Sequence, residues 1–261
     1  MNILDQIIAS KKREVLLKKS IIPIKQLEQS VLFERKTNSL VQHLSNSTCG
    51  IIAEHKRRSP SKAVINQSKS VEEIVKNYEN GGAAGMSILT DGQYFGGSLD
   101  DLILARATTN LPLLRKDFMI DEFQIIEAKA FGADVILLIA AVLSKNEIKN
   151  LSTLAKSLGL EVLLEIHNEE ELEKSVMPTL DIIGVNNRNL KTFEVSLDYS
   201  KQLASKTPAD FTKISESGID SPEAVSELQH YGYKGFLMGE YFMKCENPAN
   251  EMKSFIKKVK S

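Results

Sequence analysis

The stretch IIAEHKRRSPSK at 51–62 decides how the chain is read. A short apolar run that suits a buried strand stops at Glu54 and Lys56, two charges of opposite sign set two residues apart. Side chains at that spacing share one face of a strand. Charges at the rim of a core are costly to desolvate unless paired, so a strand that delivers them at its carboxyl end marks a place where a charged ligand can enter. Taken alone the run also fits a solvated strand-to-loop transition, and the rest of the chain separates the two readings.

Working outward, the same pattern returns: AGMSILT from Ala84, LPLLRKD from Leu111, ADVILLIA from Ala133, EVLLEIH from Glu161, DIIGVNN from Asp181, FTKISES from Phe211 and GFLMGE from Gly235. Each is a short apolar run closed by polar residues or glycine. Between them lie segments such as VEEIVKNYENGG, DEFQIIEAKAFGA and SPEAVSELQHYGYKG, with apolar residues at three-to-four spacing and a closing glycine. Asp121 and Ser221 suit N-caps, and Pro222 sits where a first-turn proline is tolerated. Strand-like runs alternating with helices predict parallel βα units, and the eight runs from Gly50 onward fit a closed (β/α)8 barrel better than an open doubly wound sheet.

Residues 1–45 stand outside this rhythm. Ile3, Leu4, Ile7, Ile8 and Val15 form a helical apolar stripe, with Lys11, Lys12 and Arg13 on the polar face. The segment is read as a helical extension packed on the barrel in the position of a lid, with 46–261 as the barrel and the whole as one structural domain. Removing 1–45 is then expected to weaken substrate retention more than folding.

A length of 261 residues fits one such domain, and 33 basic against 34 acidic side chains give no general electrostatic reason to bind nucleic acid or an anionic membrane. Cys49 and Cys245 lack metal-ligand spacing, and neither a signal peptide nor a membrane-spanning run is evident. A reduced, cytoplasmic protein is expected.

Active sites of this architecture lie at the carboxyl ends of the strands. Those ends carry Glu54 and Lys56, Thr90 and Asp91, Lys116 and Asp117, Glu165, Asn186 with Arg188, Glu216 with Ser217, and Gly239 with Glu240. SESGI at 215–219 and LMGE at 237–240 supply glycine-bearing turns after the last two strands, where barrels often hold phosphate through backbone N–H groups. Ser217, Gly218, Gly239 and Glu240 are the phosphate candidates, although such turns also arise for steric reasons alone. The carboxylate of Glu240 is expected to point away from an anion.

Taken together, IIAEHKRRSPSK, ILTDGQYFGGS, LPLLRKDFMID, ADVILLIAA, LLEIHNEEEL, IGVNNRNL, SESGI and LMGE resemble the indole-3-glycerol phosphate synthase family of tryptophan biosynthesis over essentially the whole chain. The opening ILDQIIASKKREV resembles that family's additional N-terminal helix. The resemblance implies cofactor-free ring closure of 1-(2-carboxyphenylamino)-1-deoxyribulose 5-phosphate, with loss of carbon dioxide and water. By motif position Lys116 resembles the general acid, Lys56 and Glu165 the pair for the dehydration step, and Glu54, Asn186 and Glu216 groups that hold hydroxyls and orient the lysines. Ser59 and Arg188 match positions that meet the anthranilate carboxylate, and Phe95, Phe118 and Leu137 the apolar walls. Ala63 departs from the glycine common in the family after SPSK.

His55 is expected to turn away from the mouth, and His167 to be a loop residue without a catalytic part. No metal is implied, and the expected partner is a phosphorylated small molecule; a monomer or weak homo-oligomer is expected, with docking of a pathway enzyme left open. Two other readings keep the barrel: Lys116 as a Schiff-base nucleophile, and a non-catalytic sugar-phosphate binding barrel.

Overall fold

All eight apolar runs form strands in the computed structural model of the chain, which describes residues 3–60, 62–66, 68–189 and 192–259. They are β1 (Gly50–His55), β2 (Gly85–Leu89), β3 (Leu113–Lys116), β4 (Val135–Ile139), β5 (Glu161–Ile166), β6 (Ile182–Asn186), β7 (Thr212–Glu216) and β8 (Gly235–Met238). Every pairing is parallel, and β8 returns to β1, so the sheet closes as a barrel in chain order. A helix follows each strand: α4 (Val71–Gly81), α5 (Gly92–Phe95) with α6 (Leu99–Thr108), α7 (Glu122–Ala130), α8 (Lys145–Ser157), α9 (Glu169–Ser175), α10 (Asp198–Ala204), α11 (Pro222–His230), and α12 (Glu240–Met243) with α13 (Pro248–Val259). Ahead of β1 lie α1 (Ile3–Ile21), α2 (Ile24–Glu28) and α3 (Leu40–Asn46).

Period-two alternation splits each strand between two cores. Ile51, Ala53, Met86, Leu113 and Val162 pack outward under the helices, whereas Ile52, Leu114, Leu163, Ile214 and Leu237 fill the barrel interior. The helices begin where their caps dictate. Asp121 accepts from the N–H of Phe123 and Ser221 from that of Ala224, each satisfying a first-turn donor.

α3 closes the amino-terminal end of the barrel. Its Leu40 and Leu44 are fully buried in the interior cluster, and the backbone N–H groups of Leu40 and Val41 donate to Glu161 at the start of β5. Gly85 allows this approach, since a Cβ there would come within 2.6 Å of Leu40 Cδ1. Just ahead, Arg35 pairs with the buried Asp134 at 2.7 Å. A boundary at residue 45 therefore falls inside α3, and residues from Arg35 onward are part of the barrel's foundation.

α1 corrects one sequence expectation. Lys11, assigned to the polar face, is 1% exposed: its ammonium lies 3.0 Å from both Asp91 and Asp117 and 2.7 Å from Glu14. The buried stripe of the helix is Ile7, Lys11 and Val15. Asp117 also meets Arg115, which reaches Glu127 at 2.8 Å, so a buried charge cluster fastens α1 to the outer face of β3.

Candidate active site

Alternation that puts Ile52, Leu114, Leu163 and Ile214 inside the barrel carries Glu54, Lys116, Glu165 and Glu216 to the interior one step nearer the carboxyl ends. There a cavity of about 570 Å³ opens, within the range that holds a small ligand. Every residue assigned from sequence to catalysis, substrate or phosphate lines it: Glu54, Lys56, Ser59, Phe95, Lys116, Phe118, Leu137, Glu165, Asn186, Arg188, Glu216, Ser217, Gly218, Gly239 and Glu240.

Charge is concentrated at the floor. Lys116 pairs with Glu216 and lies 3.7 Å from Glu165, while Lys56 lies 2.5 Å from Glu54. Lys56, which the resemblance pairs with Glu165 for the dehydration step, is held by Glu54, while Glu165 lies beside Lys116. Burial pulls the pKa of Lys116 down, but Glu216, Glu165 and Glu54 together raise it above the ordinary lysine value. These carboxylates favour the ammonium form of Lys116 and work against the Schiff-base reading, which needs a depressed pKa. Glu54 resists the effect of burial because of Lys56 and Lys116, and its pKa is lowered. Glu216 goes the other way: burial, with Glu165 and Glu54 beside it, outweighs Lys116.

Two missing side chains make room for these carboxylates. A Cβ at Gly184 in β6 would stand 2.4 Å from Glu216 Oε1, and one at Gly239 would stand 2.6 Å from Glu54 Oε2. Gly239, taken from sequence as a phosphate contact, thus also serves as the clearance for Glu54.

One wall is apolar. The rings of Phe95 and Phe118 lie 6.0 Å apart at 40°, and Leu89, Leu137 and Ile139 line the same cavity. The opposite end is the β7 and β8 turns. Ser217 has φ +68, a conformation that costs a non-glycine residue strain, and its hydroxyl donates to Asn186 Oδ1 at 2.9 Å. The same Asn186 oxygen accepts from the N–H of Arg188, so one side chain ties the turn after β6 to the turn after β7. Beside them the Glu240 carboxylate is gripped by Lys62 and, at 2.5 Å, by Lys244; burial works to raise its pKa, but the bonds and charges of the two lysines together overcome it and hold the pKa down at about 2.

Lys244 at the rim and Ile3, Leu4 and Ile7 of α1 line the cavity without having been singled out as site residues. His55 is buried on the outer side, where burial and then Arg57 bring it down to about 4. His167 follows β5 as a loop residue, yet its Nε2 is 3.5 Å from Glu165 Oε1. Continuing the count of two past Glu165 would have found it. Among the described residues no group of three or more His, Cys, Asp or Glu is placed to hold a metal ion, and no helix is long and apolar enough to cross a membrane.

A closed parallel barrel whose mouth joins lysines and carboxylates to an aromatic-lined slot is a (β/α)8 enzyme of the acid–base type. The sequence model of indole-3-glycerol phosphate synthase matches residues 4–255. Indole-3-glycerol phosphate synthases of Bacteroides thetaiotaomicron and Polaromonas sp. are 47% and 44% identical to the chain, covering 99% and 95% of both sequences respectively. That of Bacillus mycoides is 46% identical over 95% of each. The chain belongs to the indole-3-glycerol phosphate synthase family. Solved structures of 3-hexulose-6-phosphate synthase from Salmonella typhimurium (TM-score 0.63, 13% identity, 80% of this chain and 98% of that one) and thiamine phosphate pyrophosphorylase from Pyrococcus furiosus (TM-score 0.61, 16% identity, 85% and 98%) share the fold.

Proposed function

We propose that the chain converts 1-(2-carboxyphenylamino)-1-deoxyribulose 5-phosphate to indole-3-glycerol phosphate, as a carboxy-lyase of tryptophan biosynthesis, with the cavity residues in the following roles. The anthranilate ring packs against Phe95, Phe118 and Leu137, with its carboxylate toward Ser59 and Arg188. The phosphate meets the turns at Ser217, Gly218, Gly239 and Glu240, through backbone N–H groups. The ring carbon bearing the carboxylate attacks the ribulose carbonyl carbon, and Lys116 gives its proton to the carbonyl oxygen as that oxygen becomes an alcohol. Carbon dioxide then leaves and the electron pair returns to the ring. Lys56 protonates the departing hydroxyl, and Glu165 takes the proton from the adjacent carbon as the indole double bond forms. Glu54 and Glu216 orient the two lysines, and Asn186 holds a substrate hydroxyl.

The observation that carries this assignment is Lys116: a partly buried lysine, its ammonium form favoured by three carboxylates, at a cavity with an aromatic wall. General-acid assistance of this kind contributes about 10²–10⁴-fold. Cys49 and Cys245 are not joined in a disulfide, which suits a reducing compartment, and a cytoplasmic monomer or weak homo-oligomer goes with the reading. The test is to mix the purified protein with the carboxyphenylamino-deoxyribulose phosphate and follow indole fluorescence alongside carbon dioxide release. Equal yields of both are expected; product that keeps its carboxylate, or a borohydride-trapped adduct on Lys116, would overturn the assignment.

A further inference from the structure

His167 lies between two carboxylates. Its Nδ1 is 3.2 Å from Glu171 Oε2, the same oxygen that accepts from the backbone N–H of His167 at 2.8 Å. Glu171 is fixed in turn by Asn168, whose amide donates to Oε1 at 3.1 Å and whose Oδ1 caps α9 by accepting from the N–H of Glu171. Its Nε2 is buried, has no hydrogen-bond partner among the described residues and faces Glu165 Oε1 at 3.5 Å. An ionised carboxylate only accepts, so Glu171 keeps the proton on Nδ1. The state of Nε2 then decides what Glu165 sees: an N–H when the ring is charged, a lone pair when it is neutral.

We propose that His167 is a positioning residue for Glu165, fixing its Oε1 so that Oε2 is presented to the proton it removes from the substrate. The proposal rests on the reading of Glu165 as the base. Oε2 is the oxygen 3.7 Å from Lys116, so the arrangement leaves the second oxygen on the reacting side.

The surroundings favour the charged ring. Burial opposes it, but the bond to Glu171 and the charges of Glu165, Glu171 and Glu216 outweigh burial and raise the pKa above the ordinary histidine value. Behind the ring a second groove is lined by Asp5 of α1, Glu170 and Lys174 of α9, and Arg188. Lys174 is drawn off to the carbonyls of Ala140 and Leu143, and Arg188 to that of Phe193, so neither cation approaches Nε2 within hydrogen-bond distance. As pH rises through the titration of His167, the Nε2 lone pair turns on Glu165 and alignment is lost.

The test combines imidazole NMR titration with kinetics. In the intact chain His167 should titrate above its ordinary value, and Glu171→Gln and Glu165→Gln should each lower it by about one unit. On the alkaline side kcat/KM should fall with the same midpoint. His167→Ala should lower kcat about tenfold, leave KM nearly unchanged and abolish that pH dependence. His167→Gln, whose side-chain amide always donates, should recover most of the lost kcat without restoring it. An alkaline limb that persists in His167→Ala, a His167 titration indifferent to Glu165→Gln, or equal losses in the Ala and Gln variants with matching drops in Tm would overturn the proposal. Because the NMR coupling needs no turnover, its failure is distinguishable from a failure of Glu165 as base, which Glu165→Gln kinetics report separately.

Discussion

Gly184→Ala adds one methyl group inside the barrel, and the structure says where it lands. The new Cβ would lie 2.4 Å from Glu216 Oε1, 3.0 Å from Leu163 Cδ1 and 3.3 Å from Ile214 Cγ1. Gly184 does not have a positive φ, so alanine is locally acceptable and the backbone gains about 0.5–1 kcal/mol relative to glycine. The conflict is with the carboxylate, which must retreat by about 1 Å to reach ordinary contact distance. Oε2 of the same group is on Lys116, so clearing Oε1 swings the lysine's partner away from it. Overpacking of this kind costs about 1–3 kcal/mol, giving a net stability loss of about 0–2.5 kcal/mol after the backbone gain. A displacement of about 1 Å at a catalytic pair can lower turnover about 10²-fold, or about 2.7 kcal/mol of barrier. Initial rates by indole fluorescence, with Tm from thermal melts, should show a large fall in kcat and a small one in Tm. The shorter side chain of Glu216→Asp relieves the clash, so the double variant should be no slower than Glu216→Asp alone. Unchanged kcat in Gly184→Ala, or strictly additive losses in the double variant, would refute the claim that this glycine reserves space for a working carboxylate.

Lys116→Met should lower kcat by about 10²–10⁴-fold with KM little changed, measured by the same assay. It should also alter stability with pH. Glu216 already has a raised pKa, and without Lys116 its proton is held more tightly still. A carboxyl whose folded pKa exceeds its unfolded value stabilises below that unfolded value and loses the contribution as pH rises through the folded one. Denaturant melts of the variant should therefore show a larger deficit at pH 8 than at pH 5. Removal of residues 1–22 takes away Lys11 and leaves Asp91 and Asp117 without its ammonium, while α3 stays in place. In the intact chain Arg115 and Lys11 overcome burial and bring Asp117 down to about 2, so its contribution is lost as pH falls from about 4 toward 2. The truncated chain should fold, with a lower Tm and acid unfolding that begins at higher pH. Removal of 1–46 also strips Leu40, Leu44 and the partners of Glu161, and should abolish the cooperative melt seen by circular dichroism. Equal melts for the two truncations would contradict the role given to α3.

The barrel was legible because its strands are short apolar runs between strong breakers, and because alternation carries through the last residue of each run. Counting by two from Ile52, Leu114, Leu163 and Ile214 reaches Glu54, Lys116, Glu165 and Glu216 with no knowledge of the fold beyond parallel strands. The pairings were not legible. Whether Lys116 meets Glu216 or Lys56 meets Glu165 depends on barrel closure, which the composition of one strand does not encode. Lys11 was misplaced because an amphipathic pattern sends charge to solvent, and its partners Asp91 and Asp117 come from distant strand ends. Gly184 was silent for a similar reason: the group that requires it is a carboxylate on the neighbouring strand. The Cβ of α3's landing site, Gly85, is missing for a leucine more than forty positions earlier in the chain.

Arg115 and Lys116 are neighbours on β3 that answer to different demands. The lysine faces the reaction, while the arginine faces α1 and α7 through a charge cluster that could be exchanged, as a set, for apolar residues of similar volume without loss of stability. Selection can thus act on the two sides of one strand almost independently: ancestry can rewrite the ionic fastening behind the wall, adapting the enzyme to a hotter or saltier habitat, while the chemistry a single residue away stays untouched.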